Sequence, residues 1–380
     1  MRVPHQALLD AVRAAAAAGR TLRLRGGGTK DFWGAPLQGE VLDTRICQGI
    51  ISYEPSELVV TARCGTPLAE LEVVLAEKGQ CLAFEPPHFG PGATVGGMVA
   101  AGLSGPARAS VGAVRDFVLG VRCINGRGED LTFGGQVMKN VAGYDVSRLL
   151  AGSWGTLALI TEVSLKVLPV APAEATLMCP GIGQKDALGL LHRWGGQPLP
   201  LNASAWVHDS TAKPGGHALF VRLRGAVAAV ESAVTRMGTD VQALGAQVLR
   251  MDNAEASKDW RASGEQTLPF FTPPRDDLCL WRLSVPQTAP VIDLPYPQYI
   301  EWQGAQRWLW APATAAGELH PTAQRVGGHA TLFRASSKGG ASDKAMGVTS
   351  PPQAVQQRIQ RALQQQFDPQ SVLATGRMGI

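Results

Sequence analysis

Apolar and basic positions alternate through Thr21-Leu22-Arg23-Leu24-Arg25, the period of a short strand. The alanine-rich run Pro4 to Ala18, stopped by Gly19, predicts a helix before it. Strands are expected at Glu40 to Asp43 and Leu58 to Arg63. A helix follows, with Thr66 as cap, Pro67 in its first position and Gly79 after Lys78 as its stop. Cys81 to Phe84 reads as a short strand leading into Pro86-Pro87-His88. Further on, Asp116 to Ile124 reads as a strand, Asn125-Gly126 as a hairpin turn and Asp130 to Phe133 as the return. Val137 to Asn140 leads to Gly143-Tyr144-Asp145 and a short helix to Leu150. Gly152-Ser153-Trp154-Gly155-Thr156 opens a long strand, Leu157 to Val167, and Pro169 and Pro172 mark a domain boundary.

The second half mixes strands and helices. Strands fit Ala175–Met178, Ala203–Val207, Ala218–Leu223, Leu278–Ser284, Tyr299–Trp302 and Trp308–Trp310; helices fit Lys185–Trp194 and Val227–Leu244. That pattern predicts an antiparallel α+β cap over residues 171–330. Lys338 to Pro352 is polar and glycine-rich and reads as a flexible loop, followed by a glutamine-rich helix to Phe367. The expected organisation is a first domain over 1–170, the cap, and a segment over 331–380 that returns to the first domain.

The stretch Gly90 to Pro106 holds six glycines and no charged residue. A solvated loop would carry charge, and each glycine costs a core helix about 1 kcal/mol against alanine. Glycine has no Cβ, so such a backbone can lie almost in contact with a large flat group. Thr94 can cap a short helix from Val95 and aim its N–H groups at an anion. A glycine-rich packing helix explains the stretch equally well on its own. The second cluster, Gly26-Gly27-Gly28-Thr29-Lys30, tips the balance. A strand running into three glycines makes a turn whose N–H groups converge on an anion.

Composition narrows the classes. The chain has 380 residues, 45% apolar and 17% charged, with net charge +4. It is long enough for two domains and a sizeable core. Its basic residues are scattered without interleaved aromatics, which argues against nucleic acid. The six cysteines form no C-x-x-C pair, so neither zinc nor an iron–sulfur cluster is signalled, and reduced, buried thiols in a cytosolic setting are expected. There is no signal pattern and no apolar run of membrane-spanning length. The glycine clusters lack the G-x-G-x-x-G spacing, no Gly-Lys dipeptide supports a Walker loop, and no G-x-S-x-G elbow occurs.

Arg25-Gly26-Gly27-Gly28-Thr29, Gly92-Ala93-Thr94-Val95-Gly96-Gly97, Arg115-Asp116, Gly143-Tyr144-Asp145 and Gly152-Ser153-Trp154-Gly155-Thr156 with Ile160-Thr161-Glu162 stand in one order. Together they resemble the FAD-binding domain of the vanillyl-alcohol oxidase and p-cresol methylhydroxylase superfamily, over roughly residues 1–170. Lys139 to Leu149 and Leu103-Ser104-Gly105-Pro106 are similar, more narrowly, to the smaller flavin subunits of bacterial glycolate-oxidising complexes. The resemblance implies non-covalent FAD held by Arg25 to Lys30, Pro91, Gly92, Ala93, Thr94, Gly96, Gly97, Gly102, Ser104, Gly105, Arg115, Asp116, Gly155 and Ile160. It implies a small 2-hydroxyacid as substrate. It also implies a larger flavoprotein subunit and an iron–sulfur subunit as partners, in the cytoplasm, at the membrane's inner face through those partners. An FAD-binding relay or scaffold without substrate chemistry is the alternative. Two departures stand out. Ala374-Thr375-Gly376-Arg377 occupies the place of the family's Asn-Pro-Gly after Phe-Asp-Pro. The two-histidine metal motif of the larger hydroxyacid dehydrogenases is missing.

Several residues carry a bland reading beside the functional one. His88 offers a flavin anchor or base, but a backbone-bonded loop histidine suffices. Arg115 and Asp116 fit an ion pair at a strand start as well as a flavin-loop role. Lys30 and Lys139 could offset phosphate or ring charge, although most lysines are simply solvated. Asp145 in a first helical turn is explained by the helix dipole alone. Seven of the nine tryptophans follow residue 190, and core packing explains them better than a substrate or partner face.

Overall fold

A computed structural model describes residues 4–135, 145–209 and 216–378. Lys139, Asn140, Gly143 and Tyr144 lie outside them. The chain divides into two compact units: residues 1–104, 112–170 and 351–380 in the first, and 105–111 and 171–350 in the second.

The first unit holds a parallel pair, Leu22–Arg25 with Glu40–Asp43, and a five-stranded antiparallel sheet. The sheet's order is Ile50–Glu54, Val59–Arg63, Ala158–Lys166, Val118–Asn125, Asp130–Gly134. The two central strands are buried along nearly their whole length, as strands covered on both faces must be. Helix Pro4–Ala17 buries Leu8, Leu9, Val12 and Ala15 in a core that also takes Val372 and Leu373. Asp368 fixes that return. It is buried, and its carboxylate accepts from the N–H groups of Val372 at 2.8 Å and Leu373 at 2.7 Å. Leu22 N–H then donates to Val372 O, and Ala35 N–H to Arg377 O.

The second unit is an eight-stranded antiparallel sheet running from Leu249–Arg250 at one edge to His329–Arg334 at the other. One core cluster joins Trp194 and Leu191 of helix Gln184–Gly195 to Val230 and Met237 of helix Val227–Gln242. Another joins Trp281 and Leu309 to Leu319 of helix Ala316–Arg325. Six of the seven later tryptophans lie in these cores or pack as buried sheet and helix residues, and Trp302 is likewise buried.

Local expectations are corrected in four places. Thr66 does not cap the helix Leu68–Ala76; its hydroxyl bonds both backbone groups of Gly49, and Pro67 takes the capping position. The strand expected from Cys81 is only Gln80–Cys81. The strand expected from Asp116 starts at Val118, after a helical turn Val114–Phe117. The return to the first unit begins at residue 351, not 331, because His329–Arg334 pairs with Cys279–Ser284 and holds the chain in the second sheet. Within 338–352 the segment Ala341–Ala345 is helical.

Candidate functional site

Strand Leu22–Arg25 delivers the chain into Gly26, and the cleft in the first unit is built around the turn that follows. Its lining takes Arg25 to Asp31, then Thr94, Gly96 and Gly97, then Trp154, Gly155 and Ile160, and finally Arg377. The two glycine clusters touch. A Cβ on Gly27 would lie 1.5 Å from Gly92 O, and one on Gly26 would lie 2.4 Å from Thr94 Oγ1. Gly96 is pressed against Cys64 in the same way, its Cβ position 2.5 Å from Cys64 Cβ. Gly28 is at φ +73° and Gly155 at φ +74°, where a side chain strains the backbone. Gly27 serves the close approach of backbone to backbone, while Gly26 and Gly28 make room for the side chains of Thr94 and Arg25.

The donors of the cleft differ from those expected. The helix Val95–Ala101 does start at a Thr94 cap, but its first three N–H groups are spent. Val95 donates to Thr66 O, Gly96 to Cys64 O and Gly97 to Thr94 Oγ1. None is left to meet an anion. The first turn is different: among the described residues no hydrogen bond uses the N–H of Gly27, Gly28 or Thr29. Three consecutive open donors in a glycine turn are an arrangement suited to an anion.

Charge is organised around that turn. Arg25 Nε donates to Asp31 at 2.6 Å, and Arg377 Nη2 stands 3.8 Å from the other oxygen of Asp31. Arg377 also lies over the Trp154 ring at 5.1 Å, and Trp154 stacks on Trp33 at 4.0 Å and 6°. Burial draws the Arg377 guanidinium below its ordinary pKa, Asp31 opposing, yet it stays a cation at neutral pH. Lys30 lines the cleft and is not simply solvated. It is buried and ties the loops, donating to His88 O at 3.1 Å and Thr29 Oγ1 at 3.3 Å.

Other expected residues stand outside the lining. Ala93 is buried, its carbonyl accepting from Leu68 N–H, while Pro91 and Gly92 are exposed in the adjoining turn. Gly102, at φ +63°, ends the helix against Gly152. Ser104 Oγ accepts from Val114 N–H. Gly105 belongs to the second unit, where its carbonyl accepts from Trp302 Nε1 at 2.9 Å. Asp116 caps its own turn, accepting from Ala113 N–H at 2.8 Å, and Arg115 is exposed. Asp145 caps helix Val146–Leu150 through Arg148 N–H. His88 bonds Glu72 at 3.0 Å, a carboxylate in place of the backbone partner expected. Sequence reasoning missed Arg377 and Asp31. The signal for Arg377 was the very departure after Phe367-Asp368-Pro369.

Residues 4–145 match the family described as FAD binding domain. Glycolate oxidase subunit GlcE of Escherichia coli (strain K12) is 43% identical over 373 residues, covering 98% of this chain and 97% of that protein. Glycolate oxidase subunit GlcD of Bacillus subtilis (strain 168) is 31% identical over 40% of this chain and 33% of its own length. Among solved structures, p-cresol methylhydroxylase with substrate bound shares the fold, with TM-score 0.70 at 15% identity over 98% of this chain and 86% of that one.

Proposed function

The chain belongs to the family of glycolate oxidase subunit GlcE, and from that premise we propose that it is the smaller flavin-carrying subunit of a glycolate-oxidising complex. The observation that carries the reading is the conjunction of 43% identity over 98% of the chain with a glycine turn of open N–H groups inside the matched FAD domain.

The residues present fit FAD. The open N–H groups of Gly27, Gly28 and Thr29 would hold the pyrophosphate, and Arg25 and Arg377 would offset its charge. Ala100, Ala101, Leu159 and Ile160 supply an apolar bed, and the tight Gly27–Gly92 and Gly96–Cys64 contacts keep it rigid. FAD, when bound, supplies the acceptor for the hydride removed from a 2-hydroxyacid. The protein's own part is to grip, orient and exclude water. His88 lies outside the lining, occupied with Glu72, which supports non-covalent attachment.

The partners in this reading are a larger flavoprotein subunit and an iron–sulfur subunit, at the cytoplasmic face of the membrane. The sequence offers no C-x-x-C pair for an electron relay and no His-x-His pair to grip a hydroxyacid through a metal. Relatives named as subunits D and E of glycolate oxidase support a division of labour. Among the described residues no helix is long and apolar enough to cross a membrane. An affinity-tagged copy purified from native cells should bring down both partners together with glycolate-dependent dye reduction. Glycolate oxidation by the solitary chain, at the turnover per flavin of the whole-cell extract, would overturn the reading.

A further inference from the structure

The second unit carries a cavity of about 370 Å³ that shares no residue with the glycine cleft. The sheet provides one wall through Ala205, Val207, Phe220 and Tyr299; the helix Asn253–Gly264 and the Leu268–Phe270 turn provide the other, through Trp260, Ser263 and Phe270. We propose that this cavity binds an uncharged, ring-bearing small molecule that carries a hydrogen-bond-accepting oxygen.

Size and wall chemistry make the first part of the case. The volume lies in the range of small-molecule sites and far exceeds what a two-carbon acid fills. Four aromatic side chains face it, which suits a flat ring. Among the described residues no lysine or arginine lines it. Its charged rim residue is Asp259, exposed, with His208 also exposed. A carboxylate seated there would lose its water, gain no cation from the described lining and face the charge of Asp259. The cavity therefore does not serve glycolate.

Asp259 and the aromatic faces would suit an organic cation, but the free O–H of the buried floor favours a ligand that brings an acceptor. Ser263 Oγ and Tyr299 Oη lie 2.8 Å apart and both are buried. The two hydroxyls carry two hydrogens but share one bond, and neither makes another hydrogen bond among the described residues. Burial holds the Tyr299 phenol protonated, so neither hydrogen is lost to ionisation. One O–H thus remains to donate into the cavity, where a ligand oxygen can accept it. An ammonium group has no lone pair to offer it.

The full chain, titrated by calorimetry at neutral pH, tests this with four probes of one shape: 2-naphthol, naphthalene, 2-naphthoate and 2-naphthylmethylammonium. Saturable binding of 2-naphthol is expected, with each of the other three weaker by about tenfold or more. Ala205→Phe or Val207→Phe should fill the cavity and abolish binding; two variants guard against one that fails to fold. Ser263→Ala/Tyr299→Phe should bring 2-naphthol down to the level of naphthalene. No saturable binding of 2-naphthol, equal binding of the anion or the cation, or binding indifferent to both filling variants would each overturn the proposal.

Discussion

Gly27 and Gly92 lie so close that a Cβ on the first would fall 1.5 Å from the carbonyl oxygen of the second. The contact is backbone against backbone, so no rotamer change relieves it. Gly27→Ala should force the two glycine loops apart. We expect a loss of stability on the order of 1–3 kcal/mol or more. Flavin affinity should fall with it, because the turn bearing the open N–H groups moves. Flavin titration and thermal melting of the variant measure both; unchanged affinity would remove this contact from the account.

Gly189 is the counter-case. It is exposed within helix Gln184–Gly195, and a Cβ there would meet nothing within 4 Å. Gly189→Ala should stabilise the protein by roughly 0.5–1 kcal/mol through the lower entropy of the unfolded chain. A fall in melting temperature would contradict the open surroundings of this position.

Arg377 brings a partly buried cation into the cleft from the far end of the chain, through the turn that Asp368 fixes. Arg377→Ala should weaken flavin binding by about 10–100-fold, the size of one charge-assisted contact. Arg377→Lys should recover part of it, since a point charge remains but the planar stacking on Trp154 is lost. Equal affinity in all three proteins, read by fluorescence titration, would take Arg377 out of the site.

Glu301 gives the second unit a pH dependence of known sign. Burial raises its carboxyl from 4.5 to about 7, against Trp308, Gln306 and the charge of Arg282, which pull it down. The folded state therefore favours the protonated acid. That stability is fully present below about pH 4.5 and is lost as pH rises through about 7. Glu301→Gln keeps an acceptor for Trp308 Nε1 and Gln306 Nε2 but cannot ionise. Its stability relative to wild type should climb by up to about 3 kcal/mol between pH 4.5 and pH 8. Urea unfolding across that range decides it, and parallel profiles for the two proteins would rule the shift out.

The glycine turn at Gly26 to Thr29 was legible because glycine clusters state a backbone requirement directly. What the glycines approach was not legible: periodicity carries no information about pairs such as Gly27 and Gly92, which are distant in sequence. The same limit hid the fate of the Val95 helix start. Its first two N–H groups are taken by Thr66 O and Cys64 O, carbonyls distant in sequence that only folding brings there. Asp116 shows the local version. Its side chain reaches Ala113 N–H and turns an apolar run that reads as strand into one helical turn first. Six of the second sheet's eight strands were readable from their apolar runs, but Leu249–Arg250 and His329–Arg334 were not, and helix Ala316–Arg325 carries Pro321 inside it and so masked its own signal.

The central claim is that this chain holds FAD, without a covalent bond, in the cleft around Gly26 to Thr29. Its most direct test is the visible spectrum of the purified chain, read before and after acid precipitation. The account predicts flavin bands near one equivalent per chain, all of the flavin in the acid supernatant, and the same result in His88→Ala. A colourless protein that takes up no added FAD, or flavin retained in the acid pellet, would contradict it.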